Sequence, residues 1–187
     1  MPLPAAIVAE FRVAAPSDAL CIGVLATQVF LDTYATGGIR EAHAREVREN
    51  LSAEAISTLL ADPLETFVVA EHAGHLVAFA ELARGTAQAL VPAIGAVELK
   101  RLYVQEGFTG KGVGTALLRQ AESLAAKQGA ARLWLTAWIG NARARAFYAR
   151  RGYQELGSTM FVLQGERHEN RVFSRELGDA PVSKGLP

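Results

Sequence analysis

Apolar positions recur along this chain with two periods, and each change of period marks a new element. β-branched and apolar residues over Ile7–Ala14 predict a first strand. Ser17-Asp18 supplies an N-cap for a helix running to about Tyr34, where Thr36-Gly37-Gly38 stops it. A second helix is expected over roughly Arg40–Leu60. Its Val47, Leu51, Ala55 and Leu59 form one stripe at four-residue spacing, while the Glu41/Arg45 and Arg45/Glu49 pairs belong in water, and Asp62-Pro63 ends it. Thr66–Glu71 and Leu76–Arg84 flank His72-Ala73-Gly74-His75 and predict a hairpin. After a loop at Gly85–Gly95 come a strand at Ala96–Val104, a glycine-rich turn at Gly107–Gly114 and a helix over Val113–Gln128. That helix carries one apolar face of Leu117, Leu118, Ala121, Leu124 and Ala125, and Gly129 closes it. Arg132–Trp138 is expected as a strand, a short helix starts at Asn141 and ends at Gly152, and strands at Tyr153–Leu163 and about Asn170–Glu176 follow.

This order is strand, two helices, three strands, helix, strand, helix, two strands. It predicts an α/β fold with a mixed sheet and helices on both faces. One domain over residues 1–177 accounts for all of it, with 178–187 as a flexible tail.

Composition narrows the function classes. The chain has 187 residues, 50% of them apolar, and its 19 Lys+Arg balance its 19 Asp+Glu. So apolar and balanced a chain is expected to fold, and without a basic excess it is not expected to bind nucleic acid. With Cys21 as the one cysteine, neither an internal disulfide nor a Cys-based zinc site can form, and no metal is expected. Cys21 itself is expected as a small buried side chain, which favours direct transfer over an acyl-cysteine intermediate. The longest apolar stretch, near Ala87–Leu99, is cut by Pro92 and Gly95, so no membrane span is expected, and Met1-Pro2-Leu3-Pro4 lacks the basic start of a signal peptide. A cytoplasmic protein is the expectation.

The most informative segment is the turn Thr109-Gly110-Lys111-Gly112-Val113-Gly114-Thr115. Glycine permits positive φ and has no Cβ, so successive N–H groups can point into one concavity, and the following helix adds its unpaired donors and partial positive charge. Together these make a phosphate site. A dinucleotide fingerprint lacks its third glycine here, and a Walker A loop fails on spacing. A turn chosen only for close strand–helix packing is the alternative.

Taken with Leu102-Tyr103-Val104 before it, and with Asn141 and Phe147-Tyr148-x-x-x-Gly152-Tyr153 after it, this turn resembles the GNAT superfamily of N-acetyltransferases. The resemblance covers about Ile7 to Glu176. Family members usually place Arg or Gln where Thr109 stands. The stretch Glu98–Gly112, with Phe30-x-x-Thr33-Tyr34, is most similar to the bacterial polyamine (spermine/spermidine) acetyltransferase branch. The resemblance implies a mostly antiparallel sheet splayed between two central strands. It implies that acetyl-CoA binds with its diphosphate on Thr109, Gly110, Lys111, Gly112, Val113, Gly114 and Thr115. The pantetheine arm would lie along Leu102, Tyr103 and Val104, the Val104 amide would receive the oxyanion, and Asn141 would contact the arm. Tyr148 is implied as general acid and Glu98 as base. Period two would set Glu98, Lys100, Leu102 and Val104 on one face.

Phe30, Thr33 and Tyr34 would line the acceptor pocket. A polyamine also wants carboxylates, for which Asp32 and Glu81 are candidates. The expected partner is a small-molecule amine, with a homodimer implied at the level of the family. A peptide or protein amine, a non-catalytic acyl-CoA-binding module and a dinucleotide-binding domain are the other readings. His72 and His75 are expected to face solvent, and Trp134 and Trp138 to lie in the core.

Overall fold

The computed structural model describes residues 7–178. Strand β1 (Glu10–Val13) leads through a 3-10 turn at Pro16–Asp18 into α1 (Ala19–Tyr34), followed by α2 (Glu41–Asn50) and α3 (Ala53–Ala61). The meander β2 (Glu65–His72), β3 (His75–Ala83) and β4 (Ala96–Val104) precedes a 3-10 turn at Glu106–Phe108 and α4 (Val113–Lys127). β5 (Arg132–Trp138), α5 (Ala142–Ala149), β6 (Gln154–Leu163) and β7 (Glu166–Glu176) complete the order. The seven strands form one sheet in the order β1-β2-β3-β4-β5-β7-β6, with antiparallel neighbours except β4 and β5.

The sheet has an apolar layer on each face because its central strands alternate into both. In β2, Val68 and Ala70 join α4's Leu117, Leu118 and Ala121 on one side. Phe67 and Val69 join α1's Ile22, Leu25 and Phe30 and α3's Ile56 on the other. Phe67 and Phe79 stack with ring centroids 6.0 Å apart. Burying each such ring contributes on the order of 1.5–3 kcal/mol.

β4 and β5 pair only where Ala96–Glu98 meets Arg132–Trp134. Beyond Glu98, β4 keeps β3 as its partner to Val104 while β5 follows β7 to Trp138. The sheet therefore splays in its middle, as the family resemblance implies.

Several expectations need correction. The first strand begins at Glu10, and Asp18 spends its carboxylate on Arg12 (2.6 and 2.9 Å) and the Ala15 N–H (2.7 Å), not on the amides of α1. The single helix expected over residues 40–60 is two. Gly23 of α1 lies so close that a Cβ there would sit 2.8 Å from the Leu51 carbonyl, and Ser52 restarts the helix by accepting the Ala55 N–H at 3.2 Å. The buried position after this break is Ile56, not Ala55.

β7 starts at Glu166, four residues earlier than expected, after a two-residue turn with both Gln164 (φ 48°) and Gly165 (φ 87°) left-handed. Its polar run Glu166–Asn170 hides the strand from pattern reading. Cys21 is exposed on α1, not buried. His75 faces solvent, but His72 is half-buried, with Nδ1 2.8 Å from the Val8 carbonyl and its ring against Phe108. The opening Met1–Pro4 and residues 179–187 of the expected tail lie outside the described residues.

Candidate active site

The splay opens a cavity of about 700 Å³ between the end of β4, the glycine turn, α5 and the end of α1. Leu102, Tyr103 and Val104 form one wall, and Thr109, Gly110, Gly112, Gly114 and Thr115 form the floor. Asn141 and Tyr148 complete it from the α5 side. Lys111 is exposed instead, its Nζ 5.9 Å from the centre of the Phe108 ring, and Val113 is buried in the core.

The three glycines do different things. Gly110 (φ 70°) and Gly112 (φ 89°) are left-handed, and a Cβ on either would meet nothing within 4 Å. Their backbone is shaped by conformation and faces open space. Gly114 is the packing glycine, since a Cβ there would lie 3.4 Å from Val104 Cγ2 and 3.6 Å from the Phe147 ring. The first bond of α4 runs from Ala116 N–H to Gly112 C=O (3.0 Å). The amides of Val113, Gly114 and Thr115 thus have no acceptor within the helix and carry its positive end. Thr109 spends its side chain locally, with its hydroxyl 2.9 Å from the Glu106 carbonyl and 3.2 Å from the Glu106 carboxylate.

The wall opposite offers unpaired backbone. Gln105 N–H donates to Val77 C=O at 3.0 Å. Successive N–H groups on a strand alternate sides, so Val104 N–H, and Leu102 N–H before it, turn away from β3 into the gap. An extended ligand could add to this edge as a strand does.

Tyr148 is largely buried but lines the cavity. Its ring packs edge-on against Phe147 (centroids 5.1 Å) and Tyr153 (5.5 Å). Burial, and then the neighbouring Tyr34 hydroxyl, push its phenol well above the ordinary tyrosine range, so it stays protonated at neutral pH. Asn141 caps α5, with Oδ1 accepting the Ala144 N–H at 3.0 Å, which leaves the amide NH₂ as a donor.

Glu98 is not in this cavity. The single face expected for Glu98, Lys100, Leu102 and Val104 is broken by a bulge, because Leu99 pairs with Leu82 and Arg101 with Glu81, leaving Lys100 as an extra residue. Leu102 and Val104 pack toward α4, while Glu98 opens with Arg101 and Tyr103 on a second cavity of about 410 Å³. Burial raises the Glu98 pKa against the pull of Thr86 and Lys100.

Tyr34 and Tyr103 line both cavities and mark where they meet. The expected acceptor trio is divided by this boundary. Thr33 lines the first cavity, with its hydroxyl donating to Val29 C=O at 2.7 Å; Phe30 lines the second, and Tyr34 both.

Of the two suggested carboxylates, Asp32 is exposed and lines neither cavity. Glu81 is fully buried against Arg101 and Lys100, whose Nζ is 3.1 Å away. Trp134 is core, but Trp138 lines the second cavity, 5.8 Å from the Tyr34 ring.

Sequence reasoning missed His43, Glu46 and Asn170 in the second cavity and Arg150 and Arg151 in the first. The arginines are two of the three residues between Tyr148 and Gly152 of the glycine-closed motif and could have been noticed. His43 and Glu46 sit on a helix that looks solvent-facing in sequence. Yet His43 is buried, and its Nδ1 accepts the Arg40 N–H at 3.3 Å, which leaves Nε2 to carry the proton of the neutral ring.

Comparisons with known proteins agree with this architecture. The acetyltransferase (GNAT) family model matches residues 31–153. An uncharacterized N-acetyltransferase of Mycobacterium tuberculosis is 38% identical over 132 residues, spanning 70% of this chain and 80% of that protein. Among solved structures, an N-acetyltransferase from Thermoplasma acidophilum in complex with coenzyme A is 22% identical with a TM-score of 0.70, covering 91% of this chain and 99% of its own. A Salmonella typhimurium protein solved with its cofactor acetyl-CoA is 18% identical with a TM-score of 0.64, covering 95% and 99%. The chain belongs to the GNAT acetyltransferase family.

Proposed function

We propose that this acetyl-CoA-dependent enzyme moves acetyl to a primary amine of a small molecule by direct transfer within a ternary complex. The observation that carries the reading is the meeting of two cavities at Tyr34 and Tyr103, one floored by free amides and the other ringed by side chains. In this reading the turn at 109–115 holds the diphosphate, and the open β4 edge takes the pantetheine arm. The thioester carbonyl then lies by Val104 N–H, which stabilises the oxyanion as the amine nitrogen attacks. The carbon–sulfur bond breaks, the leaving thiolate takes a proton from Tyr148, and the second proton shed by the nitrogen as the amide forms restores the phenol. An aliphatic ammonium, with a pKa of about 10, first gives its proton to Glu98 directly or through water. The raised pKa of Glu98 brings its basicity toward neutral pH.

The charge balance of the second cavity supports a cationic, polyamine-like acceptor. Its three basic side chains are already satisfied: Arg40 by Glu166 (3.0 Å), Lys100 by Glu65 (2.9 Å) and Glu81, and Arg101 by Glu81. Glu46 and Glu98 have no basic side chain within 4 Å among the described residues. Phe30, Tyr34, Tyr103 and Trp138 line the same cavity, and aromatic rings attract cations.

The test is thiol release from acetyl-CoA across monoamines, diamines, polyamines and peptides with free N-termini. Turnover highest with diamines or polyamines is the expected result. Turnover confined to peptides would move the acceptor to a protein amine, and coenzyme binding with no turnover on any amine would leave a non-catalytic module.

A further inference from the structure

The wall of the first cavity formed by α5 carries more positive charge than its own structure uses. Arg143 there is matched by Glu106, at 3.0 and 3.1 Å. Arg150 and Arg151, which also line the cavity, have no carboxylate within 4 Å among the described residues.

Arg151 is held in place by neutral groups. Its guanidinium lies 3.5 Å from the centre of the Phe147 ring, donates to Phe147 C=O at 2.8 Å and reaches the Thr115 hydroxyl. Its Nε is buried without a partner. The bond to Thr115 fixes this cation beside the first turn of α4, next to the free amides. Arg119 follows Thr115 by one helical turn on the same face, so a third arginine with no carboxylate within 4 Å among the described residues stands behind it. Burial, and then the like charges of Arg150 and Arg119, pull the Arg151 pKa down. Like charges gathered at a cavity wall cost stability unless an anion joins them.

The turn's amides suit a diphosphate. Coenzyme A carries one phosphate more, a dianion on its ribose 3′ oxygen. We propose that Arg150 and Arg151, backed by Arg119, form a subsite for this 3′-phosphate, so that the protein selects coenzyme A over dephospho-coenzyme A. Arg forks bind phosphate oxygens in pairs and bring a full positive charge, which backbone amides do not carry. The placement complements Thr109, whose side chain is tied to Glu106 and brings no charge to the turn. The inference rests on the turn being the diphosphate site.

Equilibrium titration of the full chain with coenzyme A and with dephospho-coenzyme A, at one fixed ionic strength, tests it. Wild type should prefer coenzyme A by about tenfold or more, the scale of a charge-assisted pair. Arg150→Gln and the double variant Arg119→Gln/Arg150→Gln change exposed side chains and should keep or slightly raise the melting temperature of the unloaded protein. They should weaken coenzyme A toward the dephospho ligand while leaving the latter within about twofold. Arg151→Lys, which retains charge but loses the fork, should show part of this loss. Equal affinity of wild type for both ligands, or variants that weaken both by one factor, would overturn the subsite and leave the diphosphate reading standing. Failure of wild type to bind either ligand would overturn both.

Discussion

The two cavities are built on different principles. The first is made mainly of backbone: left-handed glycines, the free amides that open α4, and an unpaired edge of β4, drawn largely from one stretch of chain between Leu102 and Arg151. The second is made of side chains brought from α1, α2, β4, β5, β6 and β7, spread from Phe30 to Asn170. A backbone site fixes a ligand class common to a whole family, because it depends on conformation and not on side-chain identity. A side-chain site can be rewritten residue by residue, and in the proposed reading it is there that the individual substrate is chosen.

The sharpest way to break this contrast is Gly112→Val. Valine at φ 89° is strained by about 1–2 kcal/mol, and its branched side chain projects into the open space over the turn. Coenzyme binding by titration should fall by roughly 100-fold or more while the protein still melts cooperatively. If instead binding holds, the turn is packing alone. Next in size, Tyr148→Phe removes one oxygen and keeps the rings packed. Steady-state assays should show kcat lower by about 10²–10³ with coenzyme affinity within about twofold.

Glu98→Gln belongs to the second cavity and should separate activity from stability. Activity should drop by about tenfold to a hundredfold, and the acidic limb of the pH–rate profile should disappear with it. A carboxyl whose folded pKa is raised stabilises the fold below its unfolded pKa and loses that contribution as pH rises through the folded value. Melting curves should therefore show the glutamine variant gaining stability over wild type at neutral pH and not at acidic pH. Smallest of all, Glu46→Gln should raise KM severalfold for a diamine and leave a monoamine nearly unchanged, since an exposed or half-exposed charge contributes about 0.2–1 kcal/mol.

The same contrast explains what could be seen in the sequence. β4 and β5 match their expected bounds because apolar runs and bounding glycines define them. The glycine turn and Tyr148 were legible because local spacing encodes the bends they need. Glu98 lies off the face that strict alternation predicts because one extra residue, Lys100, shifts the register, and a bulge has no signature in period two. Helices α2 and α3 read as one by local pattern, since their break lies against Gly23, about 30 residues away in sequence. His43, Glu46 and Asn170 converge only through the tertiary fold, and no single window of sequence contains them.

Three residue pairs join the two halves of the sheet, at Ala96–Glu98 with Arg132–Trp134. Every strand beyond that seam belongs to one half or the other. An occupant that takes up Leu102 and Val104 N–H would act as a surrogate strand, suturing the halves along the open edge. Saturating coenzyme should then slow amide hydrogen exchange across the seam on both sides at once. It should also stabilise the fold by mass action, by about 2.7 kcal/mol at a hundred times Kd, and so raise the melting temperature, so that the loaded protein behaves as one mechanical body.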